Sequence, residues 1–230
     1  MNDREMDEIL KQSSRAPESV RPELLDRIAA SMGPSLVAVR PLPPSWAMEG
    51  GLVAIAVAIA IAGAAKMGFF GFMKLIVLDR VIIFLMLGML IFLAASEWVS
   101  ENIPGSRRRL TPGAALAVTI VGMLAVFGLL FRDYHTHRFL SAGLACLGFG
   151  LLCALPVAFL GWLVLRRGFA VNAITTGLVG GTVAGLAGVT LLELHCPNFQ
   201  ALHILIWHTA VVPVSAGAGA MLGWMLARRS

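Results

Sequence analysis

Four of the five histidines and one of the three cysteines in this 230-residue chain fall in two short polar segments between long apolar stretches. The first segment covers residues 132–138 and the second covers residues 193–203. Imidazole nitrogen and thiolate sulfur are the ligands that zinc and other soft metal ions select. A thiol beside a protonated imidazole also has a lowered pKa and reacts with oxidants. The candidate sensing residues are His135, His137, His195, His203 and Cys196.

Several chemistries fit these residues. We predict a zinc or other soft-metal site if the two segments meet, although the spacing matches no standard closed zinc motif. Its predicted ligands are His135, His137, His195 and Cys196. The alternatives are a redox-sensing Cys196, and interfacial side chains that water and lipid headgroups satisfy. Catalysis has little support, because the chain has no HExxH motif, phosphate loop or Ser/His/Asp set, and we predict no enzyme activity.

Apolar helices must position these side chains. Hydrophobic residues make up 58% of the chain and charged residues 13%, against about 25% charged residues in a typical soluble domain. The apolar residues form six blocks of about membrane-spanning length, ~20 residues, without the polar stripes of a soluble helical core. We therefore predict an all-α fold, a polytopic membrane bundle of six transmembrane helices. The predicted spans are residues 46–65, 78–98, 112–131, 139–165, 169–192 and 202–227, in a membrane domain of residues 46–230 after a tail of residues 1–45.

The distribution of Lys and Arg predicts the orientation of these spans. Basic residues concentrate in the N-terminal tail and at residues 107–109, 166–167 and 228–229, and the alternate connections carry fewer. Positively charged loops stay in the cytoplasm, so both termini are predicted inside and both histidine segments outside. The sequence pI near 9.7 then reflects an inner face suited to anionic lipid, and we predict no direct nucleic-acid binding.

The tail predicts two short amphipathic helices followed by a proline-rich linker. Pro22 suits the first position of the second helix and Gly33 its end. Such short helices are marginal alone in water, so their apolar stripes need a cover. That cover is either the membrane surface or a cytoplasmic partner with a hydrophobic groove. The predicted partner-binding residues are Met6, Ile9, Leu10, Leu24, Leu25, Ile28 and Met32.

The spans themselves suggest packing more than transport. Gly177, Gly181 and Gly185 recur every four residues in the fifth span, which allows close approach of helices. No carboxylate or histidine is evident near the membrane midplane, where coupled transporters keep theirs. Cys146 and Cys153 lie seven residues apart in the fourth span, and we expect them to pack as small apolar residues.

Three features of the chain resemble the NrsF-type membrane anti-sigma factors. Residues 39–44 read Val-Arg-Pro-Leu-Pro-Pro, directly before the first of six spans. Residues 194–197 read Leu-His-Cys-Pro, and residues 206–209 read Ile-Trp-His-Thr. The resemblance covers nearly the whole chain, and the Pro-rich and His-Cys-Pro pieces are its distinctive parts.

The resemblance implies a function. The tail would hold an extracytoplasmic-function sigma factor at the bacterial inner membrane, and an outer signal sensed with the help of Cys196 would release it. Family members commonly have a second cysteine near the middle outer loop, where this chain has His135 and His137. Cys146 lies about two turns into the next helix, so we do not expect a simple two-thiol switch. Mixed His/Cys metal sensing stays open.

Two other functions remain as alternatives. The first is a small transporter or channel whose outer histidines capture a metal ion, and the second is a membrane-bound thiol or metal enzyme. Deletion of residues 1–40 distinguishes both alternatives from an anti-sigma factor, because it should abolish sigma control in an anti-sigma factor but spare transport or turnover.

Overall fold

The computed structural model describes most of the chain as helix. The described residues are 22–32, 42–103, 105–106, 109–135, 138–166, 168 and 170–228. The chain divides into two units, Met1–Pro41 and Leu42–Ser230. Within the described part there is no strand, and the β-type pairing is an isolated bridge between Asp133 and Gln200.

The first unit contains helix α1, Pro22–Met32. Glu23 in its first turn complements the helix dipole. Leu25 and Ile28 are 53% and 45% exposed, so the predicted apolar stripe is uncovered at these positions. Met6, Ile9 and Leu10, with the first predicted tail helix, lie outside the described residues, as do the side chains of Leu24 and Met32.

The second unit contains six helices long and apolar enough to cross a membrane, which confirms the predicted fold class. A short helix, α3, joins the first two. The helices are α2 Ser45–Met67, α3 Phe70–Lys74, α4 Val77–Glu101, α5 Pro112–Leu130, α6 Phe139–Leu165, α7 Ala173–His195 and α8 Ala201–Ala227. α7 begins at Ala173 and not at the predicted residue 169. The reason is a cap, because the Asn172 side chain accepts hydrogen bonds from the backbone N–H groups of Ile174 and Thr175.

Helix α7 is the centre of this bundle. Of its 18-residue apolar window 89% is buried, against 22–28% for the other five long helices. Its glycines lie against the backbone of α8, and a Cβ at Gly177 or Gly181 would overlap the carbonyl oxygen of Gly219 or Ser215. The packing role predicted for these glycines is therefore confirmed.

Two buried carboxylates lie at one end of the bundle. Glu97 accepts hydrogen bonds from the backbone N–H groups of Arg109 and Leu110 at 3.2 and 3.1 Å. Glu101 accepts one from the hydroxyl of Thr175 at 2.6 Å. These contacts fix the loop after α4 and the start of α7, and Cys196 lies at the opposite end of α7.

Candidate metal and thiol site

Cys196 lies in the connection between α7 and α8, beneath the short helix α3. Its backbone N–H caps α7 by donating to the Leu192 carbonyl at 2.7 Å, and the residue is 5% exposed. Gly71 of α3 approaches so closely that a Cβ there would lie 2.7 Å from the Cys196 carbonyl oxygen. The thiol is therefore covered, although the connection that carries it is at the end of the bundle.

Cys146 of α6 lies beside this thiol. The two Sγ atoms are 3.6 Å apart. The two thiols are therefore close enough for a two-thiol switch, contrary to the expectation drawn from the position of Cys146 two turns into its helix. Cys153 is separate, and its Sγ donates to the Ala187 carbonyl at 3.7 Å.

Two histidines of α8 complete the group. His203 Nε2 lies 3.6 Å from Cys196 Sγ, and the rings of His203 and His208 meet edge to face at 5.2 Å between centroids. Residues five apart would point about 140° from each other on a regular α-helix. The π-helical turn Ile204–His208 accommodates the extra residue and brings the rings together.

A buried carboxylate lies against this pair. Glu193 Oε1 is 2.7 Å from His208 Nδ1, and each side chain is 1% exposed. The other ring nitrogen of His208, Nε2, is buried and makes no hydrogen bond of ordinary geometry among the described residues, although the side chain interacts with the Cys196 thiol. His203 differs, because its Nδ1 is the buried nitrogen without such a hydrogen bond.

The geometry fits a tetrahedral metal ion. One ligand atom from each of Cys146, Cys196, His203 and His208 lies within 4.8 Å of the others. With Zn–S of about 2.3 Å and Zn–N of about 2.0–2.1 Å, the edges of a tetrahedron are roughly 3.8 Å between sulfurs and roughly 3.6 Å between sulfur and nitrogen. The observed separations of 3.6 Å between the Sγ atoms and 3.6 Å between Cys196 Sγ and His203 Nε2 match these edges. These four residues are hereafter the Cys2His2 cluster.

The pKa of the Cys196 thiol is raised above its usual value. The hydrogen bond with Cys146 is the largest cause and burial is the second, and they outweigh the opposing effects of His203 and His208. The expectation that a nearby imidazolium lowers the pKa of Cys196 is therefore wrong in its net direction. At neutral pH the resting form of Cys196 is the thiol.

The other predicted ligands have different partners. His135 is exposed, and its Nδ1 lies 2.6 Å from Asp133 Oδ1, an interaction that lowers the pKa of Asp133. His195 Nδ1 contacts the Gly68 carbonyl oxygen at 3.0 Å and so holds the connection before α3. His137 lies outside the described residues.

The two histidine segments do meet. The Ala201 N–H donates to the Asp133 carbonyl oxygen at 2.6 Å. Of the predicted sensing residues, the structure brings together Cys196 and His203. Sequence reasoning missed Cys146 and His208 as neighbours of Cys196, since a helix contact and a π-helical turn leave no local signal.

Residues 34–228 match the family model of NrsF, the negative regulator of sigma F. The chain belongs to this family. No curated protein and no solved structure matches it. The protein is thus a membrane-associated negative regulator of a sigma factor, with a role in regulating transcription and a sigma factor as its partner. All three sequence features of the resemblance fall within the NrsF match.

The NrsF match covers every residue of the Cys2His2 cluster and all six long helices, whereas α1 precedes it. The His-Cys-Pro feature of the NrsF resemblance thus contains Cys196, which contacts two members of the cluster. The fourth member, His208, belongs to the Ile-Trp-His-Thr piece of the resemblance, at residues 206–209.

Proposed function

We propose that this protein is a membrane anti-sigma factor that sequesters an extracytoplasmic-function sigma factor through its N-terminal tail. In this proposal, a soft metal ion or an oxidant acts on the Cys2His2 cluster and releases the sigma factor. The observation that carries the sensing part is the convergence of two thiols and two imidazoles at one end of the bundle.

The orientation in this proposal follows from the charge distribution. The protein lies in the bacterial inner membrane with both termini in the cytoplasm, because its basic residues concentrate on the segments assigned to that side. The cluster then belongs to the outer end of the bundle. Stimulus and partner are on opposite sides of the membrane, as a transmembrane signal requires.

The tail contributes the partner-binding surface. Leu25 and Ile28 are largely exposed on α1, and an isolated helix of eleven residues falls below the length of about 12–15 residues that is marginal in water. A sigma factor with an apolar groove would cover this stripe and stabilise the helix.

Two reactions of the cluster would serve as the signal. In the first, a divalent soft ion takes both sulfurs as thiolates together with one nitrogen from each imidazole. In the second, a peroxide accepts two electrons from Cys146 and Cys196, a disulfide forms, and the two thiol protons leave in the water produced. The sulfurs must then approach from 3.6 Å to about 2.05 Å.

Metal binding would draw α6 and α8 toward the connection after α7, and the disulfide would draw α6 directly and move α8 through the contact of Cys196 with His203. Helix α8 packs along α7 through close backbone contacts, from Gly185 beside Val212 to Gly177 beside Gly219. A displacement of α8 at the cluster end would therefore shift the α7–α8 contact at the end from which the tail emerges. Rigid backbone contact is the physical basis of this proposed coupling.

Binding by the tail is tested with full-length protein purified from native membranes. Solubilised wild type should co-purify with a sigma factor identified by mass spectrometry, and the double variant Leu25→Asp/Ile28→Asp should lose it. Ala30→Asp is the control for added charge, because it places a carboxylate on the other face of α1 and should retain the partner. If no sigma factor accompanies the wild type, the proposal fails, and metal uptake into liposomes would support the transporter alternative.

The sensing part is tested on the same complex. Addition of Cd²⁺ or peroxide should dissociate the sigma factor from wild type and from Cys153→Ser. It should leave the complex of Cys196→Ser intact. An unchanged response in Cys196→Ser would exclude the cluster as the sensor while leaving the tail assignment untouched.

A further inference from the structure

His208 of the cluster contacts the carboxylate of Glu193, which takes part in neither of the two proposed sensing reactions. A carboxylate at the membrane-buried end of a helix is costly unless it is paired. Glu193 has its described partner in His208 Nδ1, 2.7 Å away, and both side chains are 1% exposed. The pair therefore has a fixed geometry, set by the last turn of α7 and the π-helical turn of α8.

This contact determines which nitrogen of His208 can bind an ion. If the carboxylate accepts the Nδ1–H, Nε2 is the nitrogen that can bind an ion once it carries no proton. Nε2 is buried and makes no hydrogen bond of ordinary geometry among the described residues, although the His208 side chain interacts with the Cys196 thiol. A buried ring nitrogen in a side chain beside two thiols is placed to bind an ion together with them.

The pattern corresponds to the second layer of a metal site. Histidines that bind metal ions usually donate the other ring N–H to a carboxylate or carbonyl, which fixes the tautomer and makes the binding nitrogen more basic. His203 has no such contact at Nδ1 among the described residues. The carboxylate therefore acts on one imidazole of the cluster.

We propose that Glu193 is a positioning residue that holds His208 with Nε2 toward Cys146 and Cys196, and that it thereby raises the affinity of the Cys2His2 cluster for a soft divalent cation. This inference rests on the metal branch of the proposed function. The Glu193 carboxylate does not bind the ion, since Glu193 is not among the four residues whose ligand atoms converge. The negative charge beside His208 favours a cation over a neutral oxidant.

Direct Cd²⁺ titration of the detergent-solubilised full-length protein tests the proposal. The absorbance of cadmium–thiolate charge transfer reports ligation by the sulfurs, and competition with a chelator gives the dissociation constant. Glu193→Leu removes the acceptor, and the loss of such an outer contact should weaken Cd²⁺ binding roughly 10–100-fold. Glu193→Gln keeps an oxygen that can accept the Nδ1–H and should bind between wild type and Glu193→Leu.

Three controls separate positioning from misfolding. Glu49→Gln changes a carboxylate at the other end of the bundle and should bind Cd²⁺ as wild type does. Formation of the Cys146–Cys196 disulfide by peroxide should proceed in Glu193→Gln at the wild-type rate, because the thiols remain in place. Glu193→Gln added to His208→Ala should weaken binding no further than His208→Ala alone.

The outcomes distinguish this inference from the proposed function. Wild-type affinity in both Glu193 variants, together with loss of the charge-transfer band in Cys196→Ser, would overturn the positioning role and leave the metal site standing. A wild type that gives no cadmium–thiolate band would overturn the metal branch and this inference together. Weaker Cd²⁺ binding in Glu193→Gln, and still weaker binding in Glu193→Leu, supports both the metal site and the positioning role.

Discussion

The sulfur atoms of Cys146 and Cys196 lie 3.6 Å apart, although fifty residues separate them in the chain. That distance is close to the sulfur–sulfur edge of a tetrahedral zinc site, about 3.8 Å. It also leaves a movement of only about 1.5 Å before the two sulfurs reach the length of a disulfide bond. One arrangement therefore suits both metal binding and oxidation.

We expect mild oxidation of the solubilised protein to join these two thiols within one chain. Peroxide or diamide should remove two of the three free thiols, and mass spectrometry of the digest should identify the Cys146–Cys196 peptide. Cys153→Ser should form the same bond, because Cys153 packs separately against the Ala187 carbonyl. Disulfides that contain Cys153, or that join two chains, would contradict this geometry.

The raised pKa of Cys196 predicts the pH dependence of its reactivity. The hydrogen bond with Cys146 and burial favour the neutral thiol, so the thiolate is a minor species at neutral pH. Its fraction, and the rate of alkylation by iodoacetamide, should rise about tenfold per pH unit until the pH approaches the raised pKa. The rate should show no plateau below pH 9, because the pKa of Cys196 is raised above the ordinary thiol value of 9.0.

The control for this profile is Cys146→Ala, which removes the largest cause of the shift. Its plateau should appear at lower pH than that of the wild type. Slopes are compared rather than absolute rates, because burial beneath α3 slows alkylation at every pH. A wild-type plateau near neutral pH would show that Cys196 is instead an activated thiolate.

The helices could be predicted from the sequence because hydropathy is a local property. Each span is a continuous apolar block, and its bounds differ from the structure by a few residues at capped ends such as Asn172. Glycines at four-residue spacing in α7 also predicted close helix packing, although they did not predict that α7 is the centre of the bundle. Local composition thus determines which segments are helices and which of them can pack closely.

The site depended on contacts that the sequence does not encode locally. His-Cys-Pro indicated Cys196, but its neighbour Cys146 lies inside an apolar helix that composition describes only as packing. His203 and His208 are five residues apart, a spacing that a regular helix would place on different faces. The π-helical turn Ile204–His208 instead brings the two rings to the same face. No residue pattern in the sequence predicted this turn.

Helix α3 should control access to Cys196. A Cβ at Gly71 would lie 2.6 and 2.7 Å from the carbonyl oxygens of Glu193 and Cys196, so Gly71→Ala must displace α3. A loss of about 1 kcal/mol of packing would make the open form roughly fivefold more populated. Alkylation of Cys196 at fixed pH should accelerate accordingly.

Gly88→Ala is the matched control for this experiment, since a Cβ at Gly88 has no atom within 4 Å. It should alkylate at the wild-type rate. Equal rates for Gly71→Ala and the wild type would mean that the α3 contact does not limit access to the thiol.

The contact between α7 and α8 should be the part of the bundle least tolerant of added volume. A methyl group at Gly181 would overlap the Ser215 backbone carbonyl, which cannot rotate away as a side chain could. We expect Gly181→Ala to lower the free energy of unfolding by about 1–3 kcal/mol, measured by denaturant titration in mixed micelles. Gly217→Ala, where a Cβ has open space, should leave it unchanged or slightly raised, because alanine favours helix over glycine. If both variants unfold like the wild type, the backbone contact is not tight enough to carry a displacement of α8 from the cluster to the far end of the bundle.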